Sequence, residues 1–264
     1  MNTRLKTLFA QKKQAGEKTL VSFVTAGHPT PDLSRDSLTA LVDAGVDILE
    51  VGFPFSDPMA DGPVIQDSSL KALENGMSLQ KTLDIIADFR AKNDDTPIVL
   101  MGYYNPIYRM GVDVFCERAA AAGVDALIIV DLPAEENDEL LIPAQEKGID
   151  FIPLITPTTH GTRLDTVLSK ASGFLYYVSI AGVTGTKQGD VSAIAKHIDV
   201  IREKSDLPIM IGFGIKTPEN AKEMAGIADG AVVGSALVSM LDETRDLTRV
   251  GDFAKKLAMA VKSV

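Results

Sequence analysis

The strongest constraint in this chain is a series of eight short segments, nearly all apolar and rich in β-branched or aromatic residues, separated by stretches of helical periodicity. They cover residues 20–25, 47–51, 97–101, 125–130, 151–155, 174–178, 208–212 and 230–234. A strand with one wet face alternates apolar and polar residues. These do not, which predicts parallel strands buried on both faces by helices. Clear helical patterns lie between them at 32–44, 78–92, 114–122 and 191–204. Eight strand–helix units predict an α/β fold, a (β/α)8 TIM barrel formed by residues 1–264 as a single domain. Closure leaves no exposed sheet edge, whereas the competing doubly wound sheet would have two. The segment MNTRLKTLFAQKKQ adds an extra amphipathic N-terminal helix.

A recurring joint supports this class. Gly45-Val46-Asp47, Gly123-Val124-Asp125, Gly148-Ile149-Asp150 and Gly226-Ile227-Ala228-Asp229 each precede a strand segment. The glycine is expected to end a helix in the left-handed conformation, and the aspartate to open the next strand.

Charge and missing motifs narrow the function. Against 26 Lys and Arg stand 36 Asp and Glu, a net charge of −10, which argues against nucleic acid as a partner. A bound phosphate must therefore be held locally, by backbone N–H groups at a helix start. Cys116, the one cysteine, reads as a buried helix residue rather than a nucleophile and suits a reducing compartment. No apolar run is long enough to cross a membrane, and the first residues lack a signal-peptide pattern. A soluble, cytoplasmic protein is expected. His28, His160 and His197 fall on separate units outside any ligand spacing, so no metal is expected; His197, mid-helix, reads as a surface residue. There is no GxGxxG after a strand, no phosphate-loop spacing and no GxSxG elbow. No strand core carries a lysine for an imine.

In a barrel of this kind chemistry belongs at the C-terminal strand ends. Glu50 stands inside the second strand segment, where a carboxylate is costly unless paired or used, and the strand cores supply no arginine partner. The following loop, Gly52 to Pro63, is stiffened by Pro54, Pro58 and Pro63. Within it Asp57 and Asp61 read either as functional carboxylates or as turn and cap residues. Gly212-Phe213-Gly214 after the seventh strand, and Gly234-Ser235 opening a helix after the eighth, match the recurrent barrel phosphate site. Gly182 to Gly189 reads as a third wall or lid.

The segments Ser22-Phe23-Val24-Thr25-Ala26-Gly27, Glu50 through Pro63, Tyr103-Tyr104-Asn105-Pro106, Gly182-Val183-Thr184-Gly185 and Gly212-Phe213-Gly214-Ile215 together resemble the tryptophan synthase α-chain family over nearly the whole length. The resemblance implies cleavage of indole-3-glycerol phosphate to indole and glyceraldehyde 3-phosphate, with no cofactor on this chain. It makes Glu50 the general acid/base, Asp61 the acceptor of the indole N–H, and Tyr176 an assistant beside Glu50, although Tyr176 also reads as a core tyrosine. Glu50 is expected to have a raised pKa and Asp61 to stay ionised. Gly185, Gly214, Gly234 and Ser235 would hold the phosphate. Phe23, Met101, Ile128, Leu154 and Phe213 match the indole-pocket wall, and each also reads as core. The family further implies a pyridoxal-phosphate β chain in an α2β2 complex. Loops 53–62 and 179–189, with Phe53, Pro54, Asp57, Gly182 and Thr184, would close over substrate and touch that partner. Ile180 and Ala181 stand where some relatives carry Arg and Ser, which bears on loop closure. A free-standing lyase and a non-catalytic regulatory subunit are the alternatives.

Overall fold

In the computed structural model, which describes residues 2–179, 191–212 and 214–264, the strand segments form one parallel sheet. Its strands are β1 (Thr19–Thr25), β2 (Ile48–Gly52), β3 (Ile98–Gly102), β4 (Ala126–Ile129), β5 (Asp150–Phe151), β6 (Leu154–Ile155), β7 (Leu175–Val178), β8 (Ile209–Gly212) and β9 (Gly230–Val233). Their order is β5-β4-β3-β2-β1-β9-β8-β7-β6. The two end strands are consecutive in the chain and only Ile152 and Pro153 separate them. They are halves of one fifth strand. The Ile152 N–H donates to the Leu127 carbonyl at 2.9 Å on one side, and the Pro153 carbonyl accepts from the Tyr176 N–H at 3.2 Å on the other. Pro153 has no N–H of its own, so the ladder is interrupted there. The sheet therefore closes as the expected (β/α)8 barrel, with its fifth strand broken.

Around it lie α1 (Thr3–Ala15), α2 (Pro31–Asp43), α3 (Pro63–Glu74), α4 (Leu79–Arg90), α5 (Tyr104–Met110) and α6 (Val112–Ala122). They continue with α7 (Asp138–Glu146), α8 (Gly161–Ser169), α9 (Val191–Arg202), α10 (Pro218–Ile227), α11 (Ser235–Thr244) and α12 (Leu247–Lys262). Strand parity sorts the side chains. Val21, Ile48, Val99, Ala126, Ile128, Ile152, Phe174, Tyr176, Met210 and Val232 form the barrel interior. Their strand neighbours, such as Leu20, Leu49, Leu100 and Leu127, pack outward in the cluster shared with the helices. Cys116 is buried in that outer layer, and burial pushes its thiol up to about 11, which leaves it unreactive.

The extra N-terminal helix closes the bottom of the barrel. Leu5 joins the interior cluster, Leu8 and Phe9 pack on it, and the Phe9 ring meets Phe174 edge-on at 6.1 Å. Beneath, the fully buried Asp125 is bonded by Arg4 and Arg90, each at 3.0 Å.

Three of the repeated aspartates share one task. The carboxylates of Asp47, Asp125 and Asp229 accept the N–H groups of Leu20, Ile98 and Ile209 at 2.8–2.9 Å. Each aspartate's own N–H returns to the same residue's carbonyl at 2.9 Å. The joint thus stitches a strand's start to that of the preceding strand. Gly45, Gly123 and Gly148 take the expected left-handed conformation. Gly226 does not. It lies inside α10, because the extra residue in Gly226-Ile227-Ala228-Asp229 moves the helix end past it.

His197 is also not the plain surface residue expected. Its ring contacts the Tyr177 hydroxyl and the Thr159 carbonyl, each at 3.1 Å, and lies 5.0 Å from the His160 ring. Among the described residues no cluster of His, Cys, Asp or Glu could hold a metal ion, and no helix is long and apolar enough to cross a membrane.

Candidate active site

Glu50 faces into the barrel from β2, with Phe23 and Val99 as its register partners on β1 and β3. It is 1% exposed, and among the described residues its Oε2 has no hydrogen-bond partner. Burial first, and then the nearby Asp61 carboxylate, raise it from the ordinary 4.5 to about 8. At neutral pH Glu50 therefore carries a proton.

Asp61 reaches the same space from the loop before α3. It lines a cavity of about 340 Å³ with Phe23, Glu50, Met101, Tyr176, Gly214, Lys216, Gly234 and Ser235. The Tyr103 hydroxyl donates to Asp61 Oδ2 at 2.9 Å. Burial raises the Asp61 pKa, and the bond from Tyr103 opposes that rise. The contrast expected between the two carboxylates is therefore one of degree. Both move upward, because the cavity desolvates both, but among the described residues only Asp61 has a side-chain donor to hold its charge. Tyr176, inward on β7, has its hydroxyl pushed well above the usual tyrosine range by burial and by Glu50 and Asp61, so it keeps its proton.

Another part of the lining, after β8 and β9, is built from backbone. Gly234 caps α11 and offers no side chain to bond the helix's first N–H groups, while the Leu237 N–H turns back to the Gly234 carbonyl at 2.9 Å. Gly214 adopts φ +76°, a conformation that other residues reach only with strain. Lys216 adds a cation to this side. The cavity thus brings together an acid whose pKa burial raises to about 8, a second carboxylate, and a stretch of glycine backbone with one lysine.

The model of the tryptophan synthase alpha chain family matches residues 9–262. The chain belongs to this family. Among solved structures, the tryptophan synthase alpha subunit of Legionella pneumophila str. Paris is 38% identical, covers all of both chains and superposes with a TM-score of 0.92. A chain from Aquifex aeolicus VF5 is 36% identical over 99% of this chain and 100% of its own, with a TM-score of 0.91. A chain of Mycobacterium tuberculosis tryptophan synthase in its aminoacrylate-bound form is 33% identical, covering 98% of this chain and 99% of that one, with a TM-score of 0.88.

Not every residue expected in this family member's site lies on the cavity. Phe23, Met101, Gly214, Gly234 and Ser235 do, beside Glu50, Asp61 and Tyr176. Ile128 does not; it is fully buried in the barrel interior. Leu154 instead lines a separate hollow of about 430 Å³ at the broken fifth strand, with Pro153, Asn137 and Arg163. Both face inward by parity and stand in register with cavity residues, Ile128 with Met101 and Leu154 with Tyr176, yet neither lines the cavity itself. Phe53 and Pro54 are not exposed lid residues. They are buried at the loop's root, where the Phe53 ring fills the space left by the missing side chain of Gly102. Asp57 is exposed, and Met59 beside it is 74% exposed. Gly182, Thr184, Gly185 and Phe213, with Ile180 and Ala181, lie outside the described residues.

Two features, one lining the cavity and one bonded to Asp61 from outside it, were not singled out by sequence. Lys216 follows Gly214 at a strand end, a signal that was present. Tyr103 sits in a segment typical of the family, but nothing local ties its hydroxyl to a carboxylate 42 positions earlier.

Proposed function

We propose that this chain cleaves indole-3-glycerol phosphate to indole and glyceraldehyde 3-phosphate, as the alpha subunit acting in tryptophan synthesis. The observation that carries the reading is the buried Glu50, its pKa raised to about 8, sharing one cavity with Asp61 and with the glycine-capped start of α11.

Indole leaves poorly until its C3 is protonated. Glu50 gives its proton to C3, and Asp61 accepts a hydrogen bond from the indole N–H as positive charge builds on that nitrogen. The glycerol hydroxyl beside the bond then gives its proton to the Glu50 carboxylate. The bond between C3 and the side chain breaks, its electron pair returns to the ring, and the oxygen becomes the aldehyde carbonyl. Tyr176 stands beside Glu50 as a neutral donor, and Phe23 and Met101 bound the ring. The phosphate rests on the N–H groups at Gly214, Gly234 and Ser235, with Gly185 as a further contact. None of these steps calls for a cofactor on this chain.

The partner reading follows from family membership and from structural relatives described as tryptophan synthase. A pyridoxal-phosphate β chain would receive the indole in an α2β2 assembly in the cytoplasm, docked on the exposed loop tip around Asp57 and Met59. Loop 179–189 would close the remaining side.

An indole-release assay tests the reading. Glu50→Gln and Asp61→Asn should each reduce turnover at least about a hundredfold. Near-normal turnover of Glu50→Gln would sink the assignment. Ligand binding by the wild type without indole release would favour a regulatory subunit, and release that a β chain never raises would favour a free-standing lyase.

A further inference from the structure

We propose that Tyr103 is a positioning residue for Asp61, fixing the carboxylate toward the Glu50 cavity through a hydroxyl whose donor direction is set by the loop itself. The proposal rests on the reading of Asp61 as the carboxylate that meets substrate.

The Tyr103 hydroxyl makes two bonds. It accepts from the Ala60 N–H at 3.1 Å and donates to Asp61 Oδ2 at 2.9 Å. An amide N–H can only donate, so the Ala60 bond occupies an oxygen lone pair and leaves the single phenolic proton for Asp61. The polarity of the pair is thereby decided by geometry. The ring is also held. It is 2% exposed and stacks on Phe55 with centroids 5.2 Å apart. Phe55 is clasped in turn by Ser69, whose Oγ bonds both its N–H and its carbonyl at 2.9 Å. One side chain following a rigid strand therefore grips the catalytic loop at Phe55, Ala60 and Asp61, which is how a loop-borne carboxylate acquires the precision of the barrel.

The charge consequence follows from the surroundings. Asp61 faces Glu50 from β2, Tyr176 from β7, Lys216 after β8 and Tyr103 after β3, with Asp57 on its own loop. Among the described residues it forms no ion pair. The phenol proton is the specific bond that favours its charged form against burial, and the charge so held helps keep Glu50 protonated.

The test is Tyr103→Phe in the full chain, which keeps the ring and its stack. The Asp61 carboxyl, followed by carbon NMR titration, should rise by about one pH unit. The acidic limb of kcat/KM should move up with it, and kcat should fall about tenfold while KM changes less than about threefold. In an Asp61→Asn background the same substitution should change kcat less than about twofold. Tyr103→3-fluorotyrosine, a stronger donor of nearly the same shape, should move the Asp61 titration downward and serves if the phenylalanine variant does not fold. An unmoved Asp61 titration in both variants, or a fall in thermal stability with an unchanged pH profile, overturns the proposal. The titration needs no turnover, so a wild type that releases no indole defeats the reaction assigned above and leaves this measurement to decide the Tyr103 contact by itself.

Discussion

The Tyr176 ring occupies the space a side chain on Gly212 would need: a Cβ built there lies 2.2 Å from the Tyr176 hydroxyl and 2.5 Å from Cζ. The two residues belong to adjacent strands, β7 and β8. Gly212→Ala should therefore act by pushing Tyr176 out of place. A cost of about 1–3 kcal/mol is expected from overpacking, together with a loss of activity of tenfold or more from the moved hydroxyl. Combining it with Tyr176→Leu should recover thermal stability without recovering turnover. A melting temperature for Gly212→Ala equal to wild type would show that the ring has room to spare.

Glu50 should make folding stability depend on pH. Its proton is held more tightly in the folded state, about 8 against an ordinary 4.5. The contribution is thus complete below pH 4.5 and is lost as pH rises through 8, to a limit on the order of 5 kcal/mol. Urea midpoints measured from pH 5 to 9 should fall more steeply for wild type than for Glu50→Gln, which has no proton to lose. The kcat/KM profile should likewise decline above about pH 8, as the acid is ionised. Parallel urea profiles for the two proteins would contradict the assignment.

The charged cluster under the barrel should affect stability and leave chemistry untouched. Asp125 is fully buried between Arg90, whose side chain is 10% exposed, and Arg4, at 28%. Burial raises the Asp125 pKa and lowers that of Arg90 even with the pairing, so desolvation consumes much of the attraction. Removing one partner is a different matter, because it strands a buried guanidinium. Asp125→Asn should cost about 3 kcal/mol in chemical denaturation, while kcat for indole release stays within about twofold of wild type.

The phosphate wall can be separated from stability by sign. Ser235 opens α11, where a negative side chain favours the helix dipole and repels a bound phosphate. Ser235→Asp should keep or slightly raise the melting temperature while raising KM about tenfold or more. An unchanged KM would place the phosphate elsewhere.

The barrel was legible because its strands declare themselves by continuous apolar runs and their helices by period. The break in the fifth strand was harder to see, since FIPLI reads as one segment until Pro153 is asked for the N–H it lacks. Glu50 stood out because burying a carboxylate inside such a run is costly unless the group is paired or used. Asp61 did not, because an aspartate between Pro58 and Pro63 looks like any turn residue without the family loop around it. Ile128 and Leu154 show the limit of parity. Alternation says which side chains enter the barrel, but which of those border an open cavity depends on how they pack once the sheet has closed. Phe53 fails for a related reason: its place is decided by a glycine on the neighbouring strand, 49 positions away in sequence.

The broken fifth strand has a consequence for how the ring comes apart. β3 and β4 register over four residue pairs, as do β7 and β8, whereas β4–β5 and β6–β7 each register over two. The circle is thus fastened by a short clasp, and amide exchange should begin around residues 150–155 before it reaches the strands that carry Glu50 and Tyr176. Opened between Ile152 and Pro153, the sheet would become a ribbon in the same strand order, with Glu50 near its middle and still in register with Phe23 and Val99.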